Sequence, residues 1–307
     1  APGSSSRTAG RWSGLRIPSR RSWSATRPIQ QRSCRRSRPR STKSSARSNH
    51  KSEADLPIAL KIILLALVQG VTEFFPVSSS GHLLVFQRIL NFNTLPLIYD
   101  IFFHLGTLLA VVLYFLRDLK PLVLRFYEKK NFHMLLLLAT ATLPTAVIGF
   151  VFKDFFEKLF EEPTYLGYCF LFTAIVLLAT KYLRVKSIAM FPAAFIIGVC
   201  QGVAILPGVS RSGLTIAVAL ILGLGFEFSF RFSFLLSIPA ILGALLLEAD
   251  SIPWQGGHWP QLLLAVLAAA FFGYLALGML KRIMIREKFY GFGMYLLAAG
   301  ILTLLFL

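Results

Sequence analysis

Apolar segments of roughly 20 residues recur along this sequence, the length a helix needs to cross about 30 Å of hydrocarbon. Six read as membrane spans: 97–116, 133–152, 164–183, 229–248, 261–280 and 289–307. Two further apolar regions, 57–90 and 191–224, are broken near their middles by Pro, Gly and Ser. Backbone that leaves the helix at membrane depth is tolerated only where protein buries it or where it lines a water-filled cavity. Each broken region therefore reads as a re-entrant hairpin of two half-helices. The expected fold is an all-α integral membrane protein with six transmembrane helices plus two re-entrant helical hairpins. Composition agrees: charged residues are 15% of the chain, against about 25% in soluble domains.

The formal net charge of +18 would suggest a nucleic-acid partner, but it is unevenly placed. Residues 1–52 hold twelve Arg, two Lys and no acid, which leaves +4 for the other 255 residues. The segment 1–56 is rich in Ser, Arg and Pro and lacks apolar periodicity, so it reads as a disordered basic tail. Three origins compete for it: a disordered extension or translated upstream sequence, an acid-free transit peptide, or a basic arm for anionic lipid or nucleic acid. The domain proper is 57–307, and no nucleic-acid partner is expected for it. The three cysteines, Cys34, Cys169 and Cys200, show no CxxC or metal spacing, which argues against a disulfide framework or zinc site.

Loop charges set an orientation. The connections 117–132, 181–190 and 281–288 carry Lys and Arg with few acids, 153–163 has more acids than bases, and 249–260 has no Lys or Arg. The positive-inside rule puts the first three in the cytoplasm and the other two outside. The 57–90 hairpin then enters from outside and the 191–224 hairpin from inside. This assignment leaves the basic tail outside, against the same rule. It also matches an internal repeat. Gln69-Gly70-Val71 and Val77-Ser78-Ser79-Ser80-Gly81 return as Gln201-Gly202-Val203 and Val209-Ser210-Arg211-Ser212-Gly213, at a constant offset of 132 residues. Halves of about 57–183 and 191–307 with opposite orientation make an inverted-topology repeat, with the site expected at the midplane where the broken elements meet.

The two breaks carry the chemistry. Gln69 and Glu73 are four apart and share a helix face; Pro76 is expected to end that helix, with a new run starting near His82. Ser78, Ser79 and Ser80, then Gly81, precede that run and offer hydroxyls and free N–H groups to an anion. In the second break, Pro207-Gly208 interrupts, Ser210 and Ser212 cap, and Gly213-Leu214-Thr215 opens the next half-helix. Arg211 adds a planar fork suited to phosphate oxygens. Glu73 and His82 add acid–base or nucleophilic capacity. The set points to phosphoryl chemistry on a membrane-embedded substrate.

Blander readings exist for each residue alone. A membrane serine often bonds only backbone carbonyls, Arg211 can pin helices, and Gln69 can bridge. His104 reads as a packing histidine, His133 and His258 as solvated loop-edge residues, and Arg231 with Glu227 as a local structural pair.

The stretch from Gln69 to His82, a (Glu/Gln)-x-x-x-Glu run followed by Pro, serines, Gly and His, resembles the first signature of the bacitracin-resistance-type undecaprenyl-diphosphate phosphatases. Pro207-Gly208-Val209-Ser210-Arg211-Ser212-Gly213-Leu214-Thr215 resembles their second, Pro-Gly-x-Ser-Arg-Ser-x-x-Thr, and 232–239 is similar to a further family segment. The resemblance covers about 57–307 and excludes the tail. It implies a bacterial inner-membrane enzyme, open to the outer, periplasmic face, that hydrolyses undecaprenyl diphosphate to the monophosphate, recycles the cell-wall lipid carrier and gives bacitracin resistance. It implies a divalent cation, Mg²⁺ or Ca²⁺, with Glu73 and Gln69 as metal-site candidates. Glu73, Ser79, His82 and Arg211 would be catalytic. Ser78, Ser80, Gly81, Ser210, Ser212, Gly213 and Thr215 would bind substrate. Ser79, His82 and an activated water all stand as nucleophile. Gln69 occupies a position where some members carry Glu, so a model with two acidic metal ligands is weakened. The expected partners are a polyprenyl diphosphate and membrane lipid, with a homodimer left open.

A polyprenyl-phosphate transporter or flippase is the rival, since it too would show inverted repeats and broken helices; the dense Glu, Ser, His and Arg set argues against it. A type-2 phosphatidic-acid-phosphatase-like enzyme needs a His shortly after Ser-Arg, and none occurs between Arg211 and His258.

Overall fold

The structure, a computed structural model, describes residues 56–89, 97–161, 165–183, 185, 188–248, 259–286 and 288–306. The tail, Cys34, the 249–258 connection and His258 lie outside these. Among the described residues there is no strand. The helices are α1 (Ile58–Thr72), α2 (Ser79–Ile89), α3 (Leu97–Tyr114), α4 (Leu116–Leu124), α5 (Lys129–Val151), α6 (Lys153–Glu161), α7 (Tyr165–Ala179), α8 (Met190–Val203), α9 (Arg211–Ile221), α10 (Phe226–Glu248), α11 (Trp259–Ile285) and α12 (Gly291–Phe306).

Three of them, α5, α10 and α11, are long and apolar enough to cross a membrane. A fourth crossing follows if α3 and α4, bent by 78° at one break, count as one span. The chain is thus a multi-pass membrane protein. Of the other two expected spans, α7 has 15 residues and α12 has 16. At 1.5 Å per residue they reach about 22–24 Å, short of a full hydrocarbon thickness. The basic connections are also more helical than their charge suggested. All of 117–124 lies in α4, and α11 runs on through Lys281 and Arg282. A basic residue in the last turn suits the negative end of a helix dipole, so the charge that marks a membrane boundary need not end the helix.

Both broken regions are pairs of short helices joined by a non-helical segment, α1–α2 and α8–α9. Shifted by 132, α2 falls on α9 residue for residue, and α1, α3 and α5 fall on α8, α10 and α11 within a few residues. Packing repeats with the sequence. One buried cluster joins Leu65 of α1 to Ala269 of α11; another joins Ile197 of α8 to Leu137 of α5, which are the same positions 132 apart. Each hairpin therefore packs on the long helix of the other half. A third cluster, including Phe74, Phe234 and Leu277, lies between them.

Close helix approach needs glycine at particular places. A Cβ on Gly198 would collide with the Ala141 carbonyl, backbone that cannot swing aside. Gly198→Ala is therefore expected to lower stability by about 1–3 kcal/mol despite alanine's better helix propensity. Gly243→Ala, which meets open space, should hold or raise it. Melting in detergent reads both, and equal effects would contradict the α5–α8 contact.

Candidate active site

The first break begins where α1 runs out of helix. Thr72 ends it, its hydroxyl turned back to the Val68 carbonyl at 2.6 Å. Residues 73–77 form a turn held by Phe75 N–H to the Val71 carbonyl and Val77 N–H to the Phe75 carbonyl. Pro76 lies inside this turn rather than at the helix end, and α2 starts at Ser79, three residues earlier than expected. Ser78 has φ +69°, a left-handed conformation uncommon outside glycine. That kink starts α2 at once and leaves its first N–H groups free of helical partners. In the second break Gly208, at φ +90°, makes the turn. Ser210 then caps α9, its Oγ accepting from Gly213 N–H at 3.1 Å.

The two breaks are stitched together. The Gly208 N–H donates to Ser80 Oγ at 3.3 Å, and Ser212 Oγ donates to the Phe75 carbonyl at 3.3 Å. Arg211 donates from its guanidinium to Glu73 Oε1. Two helix N-termini, α2 and α9, thus meet at one place, a ready-made setting for an anion.

Glu73 is the hub, with its side chain only 6% exposed. Besides Arg211 on Oε1, its Oε2 accepts from Ser79 Oγ at 2.5 Å and from Gln69 Nε2 at 3.2 Å. A buried carboxylate held this way keeps its charge compensated, and a hydroxyl hydrogen-bonded to it has a base within proton-transfer reach. His82 is buried apart from this hub. Its Nδ1 lies 2.8 Å from the Ser78 carbonyl and its Nε2 2.6 Å from the Tyr295 hydroxyl of α12.

The seven expected substrate-binding residues divide. Ser80 is half-exposed, while Ser78, Gly81, Ser210, Ser212, Gly213 and Thr215 are buried. Thr215 is tied to the Arg211 carbonyl at 2.8 Å and to Ser233 Oγ at 2.6 Å. Gly81 faces the Phe170 ring, where a Cβ would collide. These buried groups shape the two breaks, and the open polar surface falls to Ser79, Ser80 and Arg211.

Two residues join them from outside the motifs. His104 of α3, expected to be packing, has Nε2 3.9 Å from Glu73 Oε2 and a side chain 34% exposed; its Nδ1 is fixed by the Asp100 carbonyl at 2.7 Å. The signal was present in the sequence: Asp100 and His104 are ionisable residues one turn apart in an apolar span. Tyr295 had no such signal, being one aromatic residue in an apolar helix 213 positions from its partner. Arg231 pairs with Asp118 of α4 at 2.7 Å rather than forming the expected local pair with Glu227.

Among the described residues no group of three His, Cys, Asp or Glu side chains could hold a metal ion. Fewer protein ligands suffice for a hard cation that takes oxygens from substrate phosphates. Gln69 Oε1 is fully buried and has no hydrogen-bond partner. Glu73 Oε1 accepts one donor of the two that a carboxylate oxygen can take. These two oxygens are the ones that Gln69 and Glu73 would offer a hard cation.

Broken helices meeting around a carboxylate, a hydroxyl and an arginine define a helical membrane protein with an anion-directed site. A family model described as bacitracin resistance protein BacA matches residues 62–302. The undecaprenyl-diphosphatase of Carboxydothermus hydrogenoformans is 40% identical over 257 residues, covering 80% of this chain and 96% of that protein. That of Halothermothrix orenii is 36% identical over 252 residues with the same coverage. The chain belongs to the bacitracin resistance protein BacA family.

Proposed function

We propose that the protein hydrolyses undecaprenyl diphosphate to undecaprenyl phosphate and phosphate, recycling the lipid carrier of cell-wall synthesis and so giving bacitracin resistance. One observation carries the reading: Ser79 Oγ donates to Glu73 Oε2 while Arg211 holds the other oxygen of the same carboxylate. The terminal phosphate sits against the N-termini of α2 and α9, with Arg211 compensating its charge. Glu73 takes the Ser79 proton as Oγ bonds the terminal phosphorus, and the bridging P–O bond breaks to release the monophosphate. Glu73 gives that proton to the departing monophosphate; water then attacks the phosphoserine phosphorus, its proton passing to Glu73 and on to Ser79 Oγ as the Oγ–P bond breaks and phosphate leaves. Gln69 and Glu73 would hold Mg²⁺ or Ca²⁺, which supplies polarisation of the phosphoryl oxygens. The fixed donors of Arg211 and the helix ends provide electrostatic stabilisation that needs no rearrangement.

The proposed topology is six crossings with two hairpins re-entering from opposite faces of the bacterial inner membrane. The 132-residue repeat of helix positions supports it, with α7 and α12 crossing as the shortest spans. The basic residues of α4 and the ends of α7 and α11 mark the cytoplasmic side, which turns the first hairpin, and the site, to the periplasm.

The test is phosphate release from undecaprenyl diphosphate by purified protein in detergent. Release is expected, chelation should remove most of it, and added Mg²⁺ or Ca²⁺ should restore it. No release with metal present, together with lipid transport in liposomes, overturns the reading in favour of a polyprenyl-phosphate transporter.

A further inference from the structure

His82 is held at both ring nitrogens. Nδ1 faces the Ser78 carbonyl, which only accepts, so the ring proton sits there. In the neutral ring Nε2 then carries a lone pair, and the partner 2.6 Å away is the Tyr295 hydroxyl, placed to donate to it. The imidazole lies between two further rings: Tyr295 nearly parallel at 5.7 Å and Phe170 tilted at 5.5 Å. It is buried, whereas Tyr295 is 50% exposed. The lone pair a nucleophile or base would use is therefore covered by the phenol.

The contact at the far side of the ring is equally specific. Ser78 is the left-handed residue that launches α2, and the next residue is Ser79. A chain of contacts runs from Tyr295 through His82 to the Ser78 carbonyl, then by one peptide to the hydroxyl on Glu73. The strained φ of Ser78 has to be held by its surroundings. This chain holds it from α12, which packs along α7 and also meets the first break where Phe292 lies edge-on to Phe75 at 5.3 Å.

We propose that Tyr295 is a positioning residue of the active site, fixing His82 as the Nδ1–H tautomer so that His82 clamps Ser78 and aims Ser79 at Glu73. The inference rests on the phosphatase reading for its kinetic consequence, though its structural part stands apart from it. His82 is then a strut whose partner completes it, and the same rings close the site against α7 and α12.

The experiment compares Tyr295→Phe, His82→Ala and the double variant, with ¹⁵N-histidine spectra of each protein in detergent. Tyr295→Phe keeps the ring and removes one hydroxyl. It should lower kcat about 10- to 100-fold, the scale of a small misplacement of a reacting group, with KM unchanged. Added to His82→Ala it should cause no further loss. His82→Gln, whose amide can still donate to the Ser78 carbonyl, should recover part of what alanine loses. The wild-type spectrum should show one fixed tautomer with the proton on Nδ1, and Tyr295→Phe should show a mixture. Unchanged kcat in Tyr295→Phe, additive losses in the double variant, or a tautomer insensitive to the hydroxyl each overturns the proposal. Absence of phosphate release in the wild type would overturn the phosphatase reading, and the spectra would still decide the pairing.

Discussion

Glu73→Gln lowers phosphate release by a factor on the order of 10³, within the range that a positioned general base supplies, while the protein still folds. Glutamine has the shape of glutamate and can still accept from Ser79. It loses the capacity to take the Ser79 proton and the charge that holds Arg211. Arg211 is 17% exposed at its side chain, so it retains some solvent and is not left as a fully buried charge. The expected cost to folding is therefore smaller than the kinetic cost. The measurements are kcat on undecaprenyl diphosphate and the melting temperature in detergent. A variant that keeps more than about a tenth of the wild-type rate removes Glu73 from the role of base. Ser79→Ala should show the same fall, and the double variant should be no slower than either single one, because residues acting as a unit lose their effect together.

The contact between the two breaks was legible in the sequence because of the repeat. Gln69-Gly70-Val71 and Gln201-Gly202-Val203, with the serine clusters that follow, marked two copies of one device. Polar residues inside apolar stretches are costly, so they pointed to the site without knowledge of the fold. That Arg211 of one copy reaches Glu73 of the other is tertiary, yet the sequence already placed an arginine where the first copy has Ser79. Divergence at that offset position, and at Glu73 and His82, whose counterparts are Ile205 and Leu214, makes the site asymmetric: one copy supplies the hydroxyl, the carboxylate and the imidazole, the other the cation.

Other parts were hidden for physical reasons. Boundary placement failed where two local rules competed. Pro76 was expected to end α1, and the helix stops at Thr72, four residues before it; the Thr72 carbonyl is the one a residue at 76 would bond, and proline, having no N–H, cannot reach it with a helical hydrogen bond. The start of α2 was expected after the serines, but a positive φ at Ser78 lets the helix begin one residue later. Serines expected to face substrate turned inward because a broken helix buried in protein must satisfy its own N–H and carbonyl groups first. Ser210 does so for Gly213, and Ser212 for the Phe75 carbonyl. Span lengths were overread at 164–183 and 289–307 because hydropathy counts apolar residues whether or not they are helical.

Arg211→Ala should be the most damaging single change, because it acts on both folding and chemistry. In folding, it leaves Glu73 as a buried carboxylate whose remaining donors, Ser79 and Gln69, are neutral. Removing one partner of a buried ion pair costs about 3–5 kcal/mol, and the surviving hydrogen bonds place this case near the lower figure. In chemistry it removes the positive charge at the junction of α2 and α9, so release should fall by about 10³-fold or more. Arg211→Lys should rescue stability better than activity, since a point charge neutralises Glu73 but cannot grip two oxygens in a plane. The decisive variant is Glu73→Gln with Arg211→Ala. With neither charge present no group is left buried and unpaired, so the melting temperature should recover toward that of Glu73→Gln while activity stays lost. A double variant as unstable as Arg211→Ala alone would mean that the arginine supports the fold through the packing of its stem, and the ion pair would lose its place in the argument.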